Sequence, residues 1–478
     1  MRDEVFDWVD FTQNASILFG IIPGLILYKF KPRRSIGLGV ALITIALLLT
    51  SALVESESAK VAQNSKLLLF MVCLLSGQGA CLVLLSSLQA LMNQQTVLAS
   101  AVISGIIISY FLGGDSFIQT MMFGYADETY FATFLTYLAI SGILISIATR
   151  FVISDEEDAE GLFGKGEALT KGVLYKRFGY FYYSVLFIYL VTLLCALHGT
   201  NLETTTGASI LILLLIFNLC VPFLIFYCYD AARLKEMIGE ADETEKFIGG
   251  KGKDQQFSDV ASGLEFWYTC IISMIVIGSA KMVVENTGPF SLGNQEEAIY
   301  CERAFQVFEV AGALTIGFTL STIRHKISPT VVICFLTLLM IPSLLVMTYP
   351  EEIPLENPLL VCAAGVAFAH GGFMVAASSF VHEEYGTHAF SLIFGSFLTA
   401  GAIGMYAFDE VFFEGIFEKF ADDVDGVYKL TEYGTWNITI FGTCAAAAII
   451  CFFLALVNHW QVKRRDNNTE DVLAMVKF

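Results

Sequence analysis

Long, uninterrupted apolar segments dominate the sequence and constrain its fold more than any other feature. A helix of about 20 apolar residues spans the hydrocarbon core of a bilayer. Transmembrane barrels are excluded because their strands read as segments of about 10 residues with alternating polarity. We therefore predict an all-α polytopic membrane protein with thirteen spans, at residues 13–29, 35–54, 67–92, 97–123, 131–152, 180–199, 207–229, 262–284, 303–321, 329–348, 358–381, 388–411 and 437–458.

The composition supports this fold class and excludes several kinds of partner. Of the 478 residues, 56% are hydrophobic and 15% are charged, and the mean hydropathy is +0.67. A soluble domain of this length needs a more highly charged surface. The net charge of −19 argues against nucleic acid as a partner. The eleven cysteines occur singly, without a C-x-x-C pair, so we expect buried thiols and no metal or other cofactor apart from bound membrane lipids.

The distribution of Lys and Arg predicts the orientation in the membrane. If the turn at 29–34 faces inside, the inner loops and the C-terminal tail hold 20 of the 27 basic residues. Six face outside and one, Lys281, lies within a span. This places the N-terminus outside and the C-terminus inside, on the cytosolic or matrix side. The reduced single cysteines and the lack of a signal peptide at the start of the chain are compatible with the mitochondrial inner membrane, which we take as a working assumption.

The polar segments divide the chain into four parts. Residues 1–153 form an N-terminal half of about five spans, and residues 154–261 hold inner loops plus the two extra spans at 180–199 and 207–229. Residues 262–458 form a C-terminal half of six spans, followed by a polar tail at 459–478. The acidic segment Phe412–Tyr433 is predicted to be a solvated outer loop, with a cation-attracting or partner-docking surface as the alternative.

Several motifs resemble one family of membrane transporters. GLILYKFKPRR (Gly24–Arg34) is similar to the inner hairpin of the major facilitator superfamily, whose usual form is G-L-x-x-D-[KR]-F-G-P-R. The nodulin-like branch of that family is the most similar. Four further segments resemble it in the expected order: Ser76–Gln89, Phe266–Phe290, Phe305–Pro329 (a second copy of the basic hairpin) and Glu383–Phe390. The resemblance implies a facilitator-like helix bundle.

The chain departs from the family where charges usually close the inner gate. Tyr28 stands in place of the acid of the hairpin, and Lys31 in place of its turn glycine, while Lys29, Arg33 and Arg34 keep its basic character. In the second copy, Ala313 and Thr322 replace an arginine and an acid. A lost partner in a partly dehydrated ion pair costs roughly 3–5 kcal/mol, and losing both members relieves that cost. The motif is therefore expected to be degenerate.

The alignment with the family also bears on the start of the chain. Met1 falls where the family would be leaving its first helix, so the first facilitator helix is expected to be missing. That absence would open one wall of the central cavity. Other membrane subunits are then expected to lie near the first span, at 13–29.

Five ionisable residues in or beside predicted spans stand out, because charge is expensive there and functional roles are the first hypothesis: Asp115, Lys281, Glu285, Glu309 and His370. They are candidates for a proton- or substrate-binding cluster. Structural alternatives remain open. Lys281 and Glu285 are four residues apart and could be a neutralised pair, Glu285 and Glu309 could be hydrated near the outer boundary, and His370 could be an interhelical hydrogen-bonding group. The glycine pairs Gly20/Gly24, Gly371/Gly372 and Gly401/Gly404 predict close helix packing.

Two functional hypotheses follow from these features, and the missing helix and lost gate charges favour the first. The first is a structural or accessory subunit of a larger membrane complex, derived from a transporter but without transport activity. The second is a proton-coupled secondary transporter of a small metabolite such as a carboxylate or amino acid, with Asp115 or Glu285 carrying the proton. The sequence has no nucleophile–base or metal-ligand constellation, so we do not expect an enzyme.

Overall fold

The computed structural model describes residues 16, 18–55, 61–94, 101, 104–109, 111–112, 139–140, 255–291, 295–323, 327–349, 357–424, 427–430 and 433–476. These residues are almost entirely helical. The helices are α1 (Ile21–Lys29), α2 (Pro32–Glu55), α3 (Val61–Gln94), α4 (Phe257–Ala261), α5 (Leu264–Glu285), α6 (Thr287–Phe290), α7 (Gln295–Ile323), α8 (Pro329–Val346), α9 (Pro358–Tyr385), α10 (Phe390–Tyr406), α11 (Glu414–Phe420) and α12 (Tyr433–Val476).

Eight helices in this part of the chain are long and apolar enough to cross a membrane. Each coincides with a predicted span, which confirms the all-α polytopic fold. Their membrane-spanning parts are Pro32–Ala52, Phe70–Ala90, Leu264–Glu285, Glu297–Thr322, Pro329–Val346, Pro358–Tyr385, Phe390–Phe417 and Thr435–Arg464. The chain is an integral membrane protein.

The remaining predicted spans are described in part or not at all. Helix α1 covers the second half of the span predicted at 13–29. The spans predicted at 97–123 and 131–152 are described only in short pieces, and those at 180–199 and 207–229 lie outside the described residues, as does Asp115. The predicted number of thirteen therefore stays a prediction.

Contacts between helix ends define two ends of the bundle. The rings of Tyr28 and His388 are 5.3 Å apart, and Thr330 Oγ1 lies 2.9 Å from His459 Nδ1. We call this the hairpin end, because it holds the basic turn after α1. At the opposite end, the far end, Asn286 Nδ2 donates a hydrogen bond of 2.6 Å to Asp409 Oδ1. Helices α1, α7 and α9 run from the far end toward the hairpin end, and α5 and α10 run the other way.

Glycines bring the backbones of neighbouring helices into direct contact. A methyl group at Gly371 of α9 would collide with the carbonyl oxygen of Glu309 on α7, and one at Gly404 would collide with that of Met274 on α5. The other glycines of the predicted pairs, Gly20, Gly24, Gly372 and Gly401, also face close neighbours on other helices. The prediction of close packing at all three pairs is confirmed. Lipid tails are as apolar as Leu, so such tight van der Waals contacts hold membrane helices together.

The last helix, α12, shows the periodicity of a helix between a protein core and lipid. Its buried face consists of Phe441, Cys444, Ala448, Cys451 and Ala455, spaced by three or four residues. The helix has 44 residues and is therefore about 66 Å long, roughly twice the thickness of a bilayer core. It continues without interruption across the predicted tail boundary at 458/459.

The described residues of the acidic segment at the far end, 412–424 and 427–430, form helix and strand, where the sequence predicted a solvated loop over Phe412–Tyr433. Helix α10 continues as a π-helical segment, Ala407–Phe413, and is followed by α11. Two antiparallel strands, β1 (Ala421–Val424) and β2 (Val427–Leu430), then pair with Asp422 opposite Lys429. The sequence between the strands is Asp-Gly, a dipeptide favoured in two-residue hairpin turns. The loop prediction rested on the acidic residues and did not use this turn dipeptide.

The far-end segment is held to the bundle by aromatic side chains. Phe290 of α6 packs against Phe413, Trp436 and Phe441, with ring centroids 4.7–5.5 Å apart. These residues come from α6, the π-helical segment and α12. Burial of large rings offsets the conformational cost of ordering the segment.

The N-terminal helices meet the C-terminal helices along a surface that we call the seam, formed by α1 against α10 and by residues 101 and 104–109 against α7. Gly20 approaches the backbone of Gly395, and Gly24 approaches that of Ser391, so that an added Cβ would lie 2.7–2.8 Å from the opposing chain. Thr399 Oγ1 accepts a hydrogen bond of 3.0 Å from the backbone N–H of Ile21. In the second contact, a Cβ at Gly317 of α7 would lie 2.8 Å from the carbonyl oxygen of Ala101.

We predict that Gly404→Ala destabilises the protein, whereas Gly442→Ala does not. The methyl group at Gly404 would force α5 and α10 apart, and overpacking of this kind costs about 1–3 kcal/mol. Gly442 has open space around it within α12, so alanine there is expected to gain up to about 1 kcal/mol of helix propensity. Thermal unfolding in detergent, followed with a thiol-reactive dye that labels the buried free cysteines, measures both effects. Equal unfolding temperatures for the two variants would contradict the packing.

Candidate proton-binding site

The described structure brings two of the predicted site residues into direct contact. Glu309 lies on α7 and His370 on α9. Next to them, Gly371 approaches the backbone of Glu309, and a Cβ at Gly312 of α7 would collide with the carbonyl oxygen of Phe368. Any larger residue at these two glycines would separate the helices. The glycines therefore set the distance at which the carboxylate and the imidazole meet.

The two side chains form a close pair in the interior of the bundle. His370 Nδ1 lies 2.5 Å from Glu309 Oε1. Glu309 is 5% exposed and His370 is 1% exposed. The two atoms lie within the distance of an ion pair but do not have the geometry of a hydrogen bond, and the imidazole carries a charge only when it is protonated. The burial of Glu309 within the bundle does not favour the hydrated position near the outer boundary that the sequence left open as an alternative.

The second ring nitrogen of His370 has no hydrogen-bond partner among the described residues. His370 Nε2 is fully buried. A neutral imidazole has one donor and one acceptor nitrogen, and a protonated one has two donors. Buried polar atoms in native proteins normally have a hydrogen-bond partner. An exception requires an explanation, such as an exchanging proton, a water or a ligand. The atom therefore marks a place where a further group could bind.

The other candidates do not join this pair in the described part of the chain. Lys281 is half-buried on α5, and Glu285 is exposed at the end of the same helix. No ion pair between these two side chains occurs among the described contacts, so they are not the neutralised pair that the spacing allowed. Asp115 lies outside the described residues. Of the five candidates, only Glu309 and His370 are placed together.

The residues of the degenerate gate motif lie at the seam and at the hairpin end. Tyr28, Lys29, Lys31 and Arg34 are exposed, and Arg33 is half-buried. The rings of Tyr28 and His388 meet edge to face, at an interplanar angle of 89°. Thus Tyr28 contacts the segment that precedes α10, on the other side of the seam. That segment begins at Gly386, whose φ of 80° ends α9.

The predicted second copy of the motif includes Ala313 and Thr322, and the structure shows what surrounds each of them. Ala313 is fully buried on α7, and a Cβ at Gly105 would lie 3.0 Å from its carbonyl oxygen. A long side chain has no room there. Thr322 Oγ1 donates a hydrogen bond of 2.8 Å to the carbonyl oxygen of Phe318 within the same helix. Both replacements are accommodated without a charge.

Sequence reasoning missed one polar contact of the far end. Asn286 Nδ2 donates to Asp409 Oδ1 and also to the carbonyl oxygen of Met282, at 2.6 Å and 2.9 Å. The pair links the end of α5 to the π-helical segment. Asp409 lay two residues inside the end of a predicted span, and that position was the available signal. Within the described residues, no group of three His, Cys, Asp or Glu side chains is arranged to hold a metal.

Comparison with known proteins places this geometry in a familiar fold. No family model matches the sequence, and no curated protein matches it. Solved structures do match. The structure of the proton:xylose symporter XylE bound to 6-bromo-6-deoxy-D-glucose, a major facilitator superfamily protein, superposes with a TM-score of 0.53 at 11% sequence identity, covering 95% of this chain and 84% of that one. The chain has a major facilitator fold.

Two other solved structures with this fold are similar at lower scores. The E. coli fucose:proton symporter FucP matches with a TM-score of 0.49 at 12% identity, over 95% of this chain and 92% of that one. The human organic anion transporter TETRAN matches with a TM-score of 0.49 at 10% identity, over 94% and 83%. In this facilitator fold the Glu309–His370 pair lies between two packed helices, inside the membrane-spanning region.

We predict that Glu309 and His370 are energetically coupled. Replacing either one alone with leucine leaves the other buried without its partner, which costs about 3–5 kcal/mol. The double variant Glu309→Leu/His370→Leu removes both charges and is expected to be less destabilised than the sum of the single variants. The cycle is measured by thermal unfolding in detergent, with Glu285→Leu/His370→Leu as the matched control, which should be additive. Additive losses in the Glu309 cycle would show that the pair does not interact.

Proposed function

We propose that the protein is a secondary transporter that couples the movement of a small organic solute to that of a proton, and that Glu309 and His370 bind the proton. The observation that carries this proposal is the buried carboxylate–imidazole pair in a major facilitator fold. Ionisable groups in a membrane interior are expensive to maintain and commonly mark ion pathways. A purely structural role would be served as well by two apolar side chains.

The chemistry of the pair suits reversible binding of one proton. With His370 neutral, the pair carries the single negative charge of Glu309. When His370 gains a proton, the two side chains become a neutral ion pair that needs no further counter-charge. The change in charge alters the energy of the buried site, because electrostatic interactions are strong where water is excluded. Binding of a proton can therefore change how α7 packs against α9. Because α7 also contacts Ala101 and Gly105, the change can alter the contacts of the seam.

The solute is proposed to be a carboxylate or an amino acid. Lys281 supports this choice, because it is a half-buried cation on α5 and no ion pair with it occurs among the described residues. A carboxylate group would supply the missing counter-charge. XylE, the solved structure with the TM-score of 0.53, is a proton:xylose symporter, which is compatible with a small polar solute but does not select one.

The orientation of the protein in the membrane is also part of this proposal. Six exposed or half-buried basic residues lie at the hairpin end: Lys29, Lys31, Arg33, Arg34, Lys463 and Arg464. By the positive-inside rule, this end faces the cytosol or the matrix. The C-terminus would then be inside and the N-terminus outside. The mitochondrial inner membrane remains a working assumption for the organelle.

Proton coupling is tested with purified protein in liposomes that contain a trapped pH-sensitive dye. Carboxylates and amino acids are added one at a time, and a transported solute is expected to acidify the lumen. We predict that Glu309→Gln and His370→Asn each reduce this proton flux at least about tenfold, whereas the matched controls Glu265→Gln and His459→Asn do not. A solute that drives full proton flux in Glu309→Gln would overturn the assignment of the pair.

A second candidate function is also supported by an observation. It is that of an accessory subunit of a membrane complex without transport activity. The seam is closed by backbone contacts at Gly20, Gly24 and Gly317, and Tyr28 contributes an aromatic contact where the family has an acid. A seam that never opens would need no charged latch. Mild detergent extraction followed by native mass measurement tests this function, which predicts stoichiometric partners in addition to the chain of 52.6 kDa.

A cross-link across the seam separates the two functions. Tyr28→Cys and His388→Cys place two thiols at a contact between rings whose centroids are 5.3 Å apart. Both positions are exposed, so a short membrane-impermeant bifunctional reagent can reach them, whereas the eight described native cysteines are buried. We predict that cross-linking abolishes transport, because alternating access requires the seam to part. Unchanged uptake after complete cross-linking would show that this contact does not open.

A further inference from the structure

The exposed face of α12 ends in an arrangement suited to a lipid with a charged headgroup. Four large apolar side chains follow one another on this face at intervals of three or four residues: Ile450, Phe453, Val457 and Trp460. Such spacing places them in one continuous stripe along the helix. Trp460 is the most exposed of them, at 69%. The stripe runs parallel to the direction in which an acyl chain lies.

Two cations continue this stripe immediately beyond Trp460. Lys463 and Arg464 are exposed and lie three and four residues after Trp460, hence on the same face. The part of α12 that is apolar enough to cross a membrane ends at Arg464, while the helix itself continues to Val476. The indole and the two cations therefore lie at the level where the hydrocarbon core gives way to headgroups. Trp residues favour that level because they are amphipathic.

The opposite face of α12 anchors this region to the bundle. Asn458 Nδ2 donates a hydrogen bond of 3.2 Å to Thr269 Oγ1 of α5, and His459 Nδ1 lies 2.9 Å from Thr330 Oγ1 of α8. Val462 is buried. These contacts fix the rotation of the helix, so that Trp460, Lys463 and Arg464 are held facing outward. A lipid bound there would meet a preorganised surface rather than a flexible tail.

We propose that Trp460, Lys463 and Arg464, with the apolar stripe above them, form a binding site for one anionic phospholipid. The acyl chain lies along Ile450, Phe453 and Val457. The phosphate and any additional negative charge of the headgroup bind Lys463 and Arg464, and the indole of Trp460 packs at the glycerol level. Charge complementarity selects anionic over zwitterionic lipids, since each basic residue near a membrane surface favours them several-fold. The apolar stripe distinguishes this site from one for free phosphate.

The site is tested on the full-length protein in nanodiscs of phosphatidylcholine with a minor fraction of phosphatidylglycerol. After transfer to mild detergent, native mass spectrometry measures the lipid that stays bound. We expect the wild type to retain phosphatidylglycerol, and Lys463→Gln/Arg464→Gln to retain at least about tenfold less. The matched control Lys29→Gln/Arg34→Gln removes the same charge from the same end of the bundle and should retain the wild-type amount. Equal loss in both double variants would show a diffuse charge effect and overturn the site.

A second measurement does not depend on the charge variants. Phosphatidylglycerol with brominated acyl chains quenches tryptophan fluorescence on contact, and the difference between wild type and Trp460→Phe isolates Trp460 among the four tryptophans. We expect stronger quenching than with brominated phosphatidylcholine at the same fraction, and no relief by added glycerol phosphate. Equal quenching by the two lipids would contradict selectivity, and relief by glycerol phosphate would assign the cations to a soluble anion. Protection of Trp460 by a co-purifying protein would assign the surface to a subunit instead.

Discussion

The close approach of helix backbones at glycine is the constraint on which the rest of the structure depends. In a bilayer, no hydrophobic gain drives one apolar helix onto another, so contact area and packing density decide which helices associate. Gly371 against Glu309, Gly312 against Phe368 and Gly404 against Met274 supply that contact in the C-terminal helices. The same device joins α1 to α10 at the seam.

This packing brings together an acid and an imidazole that lie sixty-one positions apart in the sequence. Glu309 and His370 face each other because α7 and α9 touch at the glycines beside them. The low dielectric around the pair makes its charge state matter for stability. The packing of α7 against α9 and the charge state of the pair are therefore linked at this site. A proton bound there would change the energy with which the two helices pack.

The sequence predicted much of this fold. Apolar length alone located the eight described spans, and the glycine pairs correctly indicated where helices meet, because both depend on local pattern. Glu309 and His370 were both named as candidates, but their pairing was not predicted, since it depends on the rotation of two helices about their axes. Hydropathy also could not show that Asp425 and Gly426 separate two paired strands, or that α10 continues as a π-helical segment with Asp409 facing Asn286.

The sequence predicted that the inner-gate motif is degenerate at Tyr28 and Ala313. In the structure, Tyr28 makes an aromatic contact and Ala313 a close backbone contact across the seam. Such contacts are short-ranged and insensitive to salt, unlike ion pairs. They are compatible with a seam that opens and with one that stays closed, and for that reason the cross-link at Tyr28 and His388 is informative.

The central claim is that Glu309 and His370 form a direct pair inside the membrane, and ¹⁵N nuclear magnetic resonance of histidine-labelled protein in liposomes tests it most directly. The chain has six histidines, so the signals of His370 can be assigned with His370→Asn. We expect the Nδ1 resonance of His370 to move when Glu309 is replaced by glutamine, while the signals of His459 stay in place. An Nδ1 resonance at the same position in wild type and Glu309→Gln would contradict the pair and the proposed site of proton binding.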